Sequence, residues 1–270
     1  MQFDVSRSQS LVLTFGSFLA VALIGIGLAG CTTAAPRQVI DLTYPFGEDT
    51  IYWPNNKSFT WEKTAWGQTS AGYWYSSAVF ATSEHGGTHM DAPLHFGENR
   101  RAVDQIPVEE LMAPAVVIDV RSECQTNPDY EMTLDDLRAW EAAHGRIPNH
   151  AVVFMLTGWG KHWPDRRAYL GSATPDDAHT LHFPGFSAQA AEFLVKERAI
   201  RGIGIDTASI DPGRSQDFSV HRIVNGANAY GLENVASLDR LPPKGTTVVA
   251  LPMKIHGGTG APVRIIALLP

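Results

Sequence analysis

Residues 83–96 read SEHGGTHMDAPLHF. Within eleven positions this run places His85, His89, Asp91 and His95, three imidazoles and one carboxylate, the groups that bind metals and carry protons. In an extended chain, side chains at even separations share a face, and all four positions are odd. One strand-like run would therefore aim the four at a single point. A helix would pair His85 with His89, but Gly86, Gly87 and Pro93 disfavour it. Buried imidazoles and carboxylates each need partners, so four on one face point to a metal site rather than to packing. The donors suit Zn²⁺, with Mn²⁺ or Fe²⁺ as carboxylate content rises. A site with three protein ligands keeps an open position, the catalytic rather than the structural arrangement.

Outward from this run the chain is strand-rich. Residues 72–83, rich in Tyr, Trp, Val, Phe and Ser, read as a mostly buried strand leading into the cluster. Further strands are expected at 38–44, 115–120, 151–156, 202–205, 245–251 and 262–269. Thr133 with Asp136 resembles a capping box opening a helix to Ala143, closed by Gly145, and Ser187 caps a second helix to about Glu197. Residues 107–111 read as a helical turn, 97–106 as a polar loop, and 220–229 have helical character. The elements do not alternate strictly, which favours a single α+β domain with a mixed sheet over a doubly wound parallel one. Gly202 and Gly204 follow a strand but lack the third Gly and helix opening of a phosphate-binding turn.

The 270 residues are 44% hydrophobic and 18% charged, the profile of a folded domain. A net charge of −7 and the lack of a Lys/Arg run argue against nucleic acid as a partner. Residues 1–30 form a polar lead with Arg7 and a long apolar run, an export signal; Leu28, Ala29 and Gly30 before Cys31 resemble a bacterial lipobox. Such a signal is cleaved before Cys31, which then carries lipid. The competing reading is a retained transmembrane anchor. Residues 31–37 are then a tether and 38–270 the domain, exported and held at the membrane, on the periplasmic or cell-surface side, by lipid alone. With Cys31 lipidated, Cys124 has no disulfide partner and reads as a small buried residue.

Other polar groups carry weaker signals. His144, His150, His162, His179 and His182 fall in expected loops or helix ends and read as structural or exposed. Asp206, Asp211, His221 and Glu233 suggest a second cluster, but a His and a Glu twelve residues apart are ordinary by spacing alone. Trp53, fixed between Tyr52 and Pro54, reads first as a cap on the core.

His85, Gly87, Thr88, His89, Asp91, Pro93, His95 and Phe96 match the H-x-G-T-H-x-D-x-P-x-H-F signature, and on it the chain resembles the cyclase family. That family includes bacterial kynurenine formamidases, or arylformamidases, and isatin hydrolases. Supporting matches run along the chain: Asp41, Leu42, Trp53 and Pro54 near the start, Thr157 to Trp159 and 204–212 in the middle, and Leu251, Pro252 and 257–264 near the end. The resemblance implies a swivelling β/β/α-type fold and a homodimer. It implies that His85, His89 and Asp91 bind one metal and that Asp91 bridges to a second held by His221 and Glu233, reversing the reading from spacing. It places Trp53 against the substrate and His95 as the general acid/base. The implied activity is metal-dependent hydrolysis of a small aryl amide or lactam of the N-formylkynurenine type, with one or two Zn²⁺. An isatin hydrolase-like or lactone-cleaving enzyme with a single Mn²⁺ is the alternative. A third reading is a non-catalytic lipoprotein that binds a metal or small molecule.

Overall fold

A computed structural model describes residues 38–269. The signal segment, Cys31 and the tether lie outside the described residues. In chain order the strands are β1 (Val39–Asp41), β2 (Thr60–Gln68), β3 (Trp74–Ala81), β4 (His89–Asp91), β5 (Met112–Asp119), β6 (Glu131–Met132), β7 (Val152–Leu156), β8 (Gly185–Phe186), β9 (Gly202–Ile205), β10 (Tyr230–Glu233), β11 (Thr246–Pro252) and β12 (Gly260–Leu268). The α-helices are α1 (Arg121–Thr126), α2 (Leu134–His144), α3 (Arg166–Leu170), α4 (Ala188–Arg198) and α5 (Ser219–Gly226).

Eight strands form one sheet in the order β1-β12-β11-β5-β7-β9-β10-β4, and β4 also pairs with β12, closing the sheet into a barrel. The run β5-β7-β9-β10 is parallel and the remaining pairs are antiparallel. This is the expected α+β domain with a mixed sheet. Alternate residues serve two cores. Val117, Phe154, Met90, Leu232 and Ile265 fill the barrel, whereas Val116, Ile118, Met155 and Ile203 pack outward with Leu137 of α2, Leu194 of α4 and Val224 of α5. Burial on both faces explains why β5 and β7 are near-continuous apolar runs in sequence. The capping box holds: Thr133 Oγ1 accepts from the Asp136 amide, and Asp136 Oδ2 accepts from the Thr133 amide at 2.7 Å. Cys124 is free and buried, and burial pushes its thiol up to about 12, which keeps it inert.

Two expectations are corrected. Residues 72–83 do not form a buried strand: among the described residues β3 pairs only with β2, and Tyr73, Trp74, Tyr75 and Phe80 are each more than half exposed. Aromatic content marked the strand correctly but not its burial, because among the described residues no other sheet covers this ribbon. The His cluster is also not one extended run. Only His89–Asp91 is strand; Gly87 sits at φ +56°, and Pro93–His95 is a 3₁₀ turn. Convergence of the four side chains comes from two bends rather than from parity. β2, β6, β8, β10, α1 and α3 were not foreseen.

Candidate metal and catalytic site

The site is built on the outer surface of the barrel wall where β4 meets β10. Met90 and Leu232 point into the barrel core, so their neighbours His89, Asp91 and Glu233 point the other way. Glu233 pairs directly with His89 across the sheet. Asp91 has a glycine opposite it on both sides, Gly231 in β10 and Gly260 in β12. A Cβ at Gly231 would stand 2.9 Å from Asp91 Oδ2, and one at Gly260 would stand 2.5 Å from His85 Cε1. Glycine is needed there for close approach. His221 comes from α5, which lays its buried face over β10.

Six side chains meet within short range. His89 Nε2 lies 3.2 Å from Asp91 Oδ1 and 3.4 Å from Glu233 Oε2. His221 Nε2 lies 3.4 Å from Asp91 Oδ2 and 3.1 Å from Glu233 Oε1. His85 Nδ1 lies 2.6 Å from Asp91 Oδ1, and the His95 ring stacks on His85 at 3.7 Å between centroids. By distance the side chains sort into His85, Asp91 and His95, and into His89, Asp91 and Glu233, with ligand atoms in each group within 4.8 Å of one another. The resemblance groups His85 with His89 instead. Asp91 belongs to both sets under either grouping.

The hydrogen bonds fix which nitrogen each imidazole presents. His89 donates from Nδ1 to Gly87 O at 2.9 Å, and His221 donates from Nδ1 to Asp211 Oδ2 at 2.6 Å. Each therefore turns Nε2 toward the carboxylates. Thr259 gives its one hydroxyl proton to Glu84 Oε2, so its oxygen accepts from His85 Nε2 at 2.9 Å. That leaves a bare lone pair on a neutral His85 Nδ1, 2.6 Å from a carboxylate oxygen. Such a contact requires positive charge between the two atoms, a proton or a metal ion. His89 Nε2 and Asp91 Oδ2 are buried with no hydrogen-bond partner among the described residues, which is costly unless a cation serves them. The donor set is nitrogen and oxygen only, and it fits Zn²⁺ or Mn²⁺.

Electrostatics agree with the geometry. Burial raises the Asp91 carboxyl, but the surrounding His89, His221 and His85 outweigh it and hold Asp91 well below the ordinary carboxylate range. Glu233 is raised, by burial first and then by the Asp91 charge. Burial lowers His89, and the Asp91 and Glu233 carboxylates more than reverse this, to about 9. His95 differs: burial takes it down to about 3, further aided by His85, His221 and His89 against the pull of Asp91. It is a neutral imidazole at physiological pH.

These groups open into a cavity of about 240 Å³ whose apolar walls include Ile51, Trp53, Phe96, Ala208 and Phe218. Trp53 stands edge-on to Phe218 at 6.0 Å and to Phe183 at 6.5 Å. Residues expected to be peripheral are so: His182 pairs with Asp129 and His179 with Gln216. Asp206 turns away from the cluster and accepts from the Thr157 amide and hydroxyl and the Gly158 amide. Asp211 and Thr259 hydrogen-bond the imidazoles and Glu84 holds Thr259; the sequence named Asp211 in the second cluster but gave none of the three a role. The sequence signal for Asp211 was its place beside His221 in the second cluster; for Thr259 there was none.

The Cyclase family model, described as "Putative cyclase", matches residues 40–212. The isatin hydrolase of Roseibium aggregatum is 37% identical over 195 residues, covering 69% of this chain and 72% of that one. A kynurenine formamidase of Salinibacter ruber is 28% identical over 233 residues, covering 84% of this chain and 96% of its own. The solved structure of isatin hydrolase A from Ralstonia solanacearum aligns with a TM-score of 0.79 at 36% identity, over 86% of this chain and 92% of that one.

Proposed function

The chain belongs to the cyclase family, and we propose that it is a metal-dependent hydrolase of a small cyclic or aryl amide. The observation that carries this reading is the pair of partnerless buried atoms, His89 Nε2 and Asp91 Oδ2, at the floor of an aromatic cavity. His85, His89, Asp91, His221 and Glu233 would hold one or two ions of Zn²⁺ or Mn²⁺. When bound, such an ion acidifies a water molecule and polarises a carbonyl.

The chain's own residues supply the rest. Trp53, Phe96 and Phe218 receive an aryl ring and keep water from its faces. His95 lines the same cavity beside the ligand cluster. Being neutral, it is placed to take a proton from the attacking water and to return it to the departing amine. Asp211 keeps His221 in one tautomer throughout.

A small lactam such as isatin is favoured by the isatin hydrolase identity of 37% and by the modest cavity. An N-formylkynurenine-type amide is the second reading, supported by the adjacency of His221 and Glu233 to Asp91. The reading also includes export, anchoring through lipid on Cys31 and a homodimeric state. Hydrolysis assays of the metal-loaded chain on isatin, N-formylkynurenine and simple lactones test the activity. His95→Gln is expected to keep its metal and lose about 10²- to 10⁴-fold in kcat; full turnover in that variant removes His95 from its role.

A further inference from the structure

His85, His89 and His221 are braced at their far nitrogens by different kinds of group. His89 is braced by a carbonyl, Gly87 O, and His221 by a carboxylate, Asp211 Oδ2. Both groups can only accept, so each fixes where its imidazole proton sits. His85 is braced by a hydroxyl, Thr259 Oγ1, at 2.9 Å from Nε2. A hydroxyl can accept or donate, so Thr259 alone does not decide which nitrogen of a neutral His85 holds the proton. Were Thr259 to donate to Nε2, the His85 proton would lie on Nδ1 and bridge the 2.6 Å to Asp91 Oδ1. That pair would then be satisfied with no cation.

Glu84 removes the choice. Its Oε2 accepts from the Thr259 hydroxyl and, at 3.1 Å, from the Thr259 amide. Of the two acceptors beside the hydroxyl, the carboxylate makes the stronger, charge-assisted bond, which leaves the hydroxyl oxygen to accept from His85. The backbone holds this contact in place. Thr259 O accepts from the Ala92 amide and Gly258 O from the Val103 amide, each at 2.9 Å. Gly257 sits at φ +70°. A Cβ at Gly258 would stand 2.9 Å from Glu84 Oε1, just as one at Gly260 would crowd His85, so the glycines let both side chains close on Thr259. With the backbone pinned and χ1 of threonine stiff, the hydroxyl proton is what remains free to turn.

We propose that Glu84 is a positioning residue for the metal centre: by taking the Thr259 hydroxyl proton, it holds His85 in the tautomer whose Nδ1 is bare toward Asp91. It acts through Thr259, and what it supplies is the direction of one proton rather than its negative charge. The inference rests on the hydrolase reading in that His85 is a metal ligand.

Competition between the full chain and a chelator for Zn²⁺ tests this independently of turnover. Glu84→Ala frees the hydroxyl to donate to His85, and Thr259→Val removes it; each is expected to lower Zn²⁺ affinity about 10- to 100-fold. Glu84→Gln keeps an acceptor oxygen and Thr259→Ser keeps a hydroxyl, and each is expected to lose less than about 10-fold. The two pairs are independent, so either decides the matter where a member of the other fails to fold. A folded Glu84→Ala or Thr259→Val with unaltered affinity would overturn the proposal. So would Glu84→Gln as weak as Glu84→Ala, which would make charge the contribution of Glu84, or Thr259→Ser as weak as Thr259→Val, which would make it the threonine methyl. These outcomes leave the hydrolase reading in place, whereas an unaltered chain that binds no Zn²⁺ would remove both.

Discussion

Asp91, in β4, and Asp206, just past the end of β9, are both buried carboxylates, and they end in opposite electrostatic states. Asp206 accepts from two backbone amides and a threonine hydroxyl, all neutral donors, and burial raises its pKa. It staples the turn at Thr157 and Gly158. Asp91 faces three imidazoles, keeps one oxygen without a donor, and is held low. Burial alone thus does not mark a functional carboxylate. What distinguishes Asp91 is that its partners need a cation to be satisfied with it.

The widest separation between the two is expected from isosteric substitution. Asp91→Asn should lower metal affinity by more than the roughly 10- to 100-fold that losing an outer hydrogen-bond partner costs, with activity lost alongside. Asp206→Asn should cost about 1–3 kcal/mol of stability and leave metal content and turnover per folded molecule as they were. Isothermal titration with Zn²⁺ and chemical unfolding of both variants check this; equal metal loss in the two would erase the contrast.

A smaller effect is expected one bond further out. Asp211 reaches the cluster only through His221, so Asp211→Asn should reduce metal affinity about 10- to 100-fold without removing a ligand. Competition against a chelator measures it, and unchanged affinity would make Asp211 merely structural.

The cluster and the staple also differ in how legible they were. Ser83 to Phe96 announced itself through residue type, and β9 and α2 through a short apolar run and a capping box. His221 and Glu233 could not be paired by periodicity, because one lies on α5 and the other on β10, and a count that crosses from helix to strand has no fixed geometry. Thr259 is 174 residues from His85, so its role exists only in the folded chain. The ribbon misled because aromatic content predicts strand but says nothing about what covers it.

The mildest test is pH. In the metal-free chain His89 rises to about 9 from an ordinary value of 6.5. A group raised on folding stabilises fully below its unfolded pKa and loses that contribution as pH passes the folded one. Metal-free stability contributed by His89 should therefore be present below about pH 6.5 and fade toward pH 9. Bound metal takes the imidazole neutral, so the metal-loaded chain should not show this decline. Thermal melts across that range, with and without chelator, compare the two; identical profiles would contradict the shared site.

The most direct measurement is the metal content of the purified chain by elemental mass spectrometry. One or two equivalents of Zn²⁺ or Mn²⁺ per chain, absent from Asp91→Asn and retained by Asp206→Asn, is the expected result. A folded chain that neither carries nor takes up a divalent metal would contradict the account at its centre.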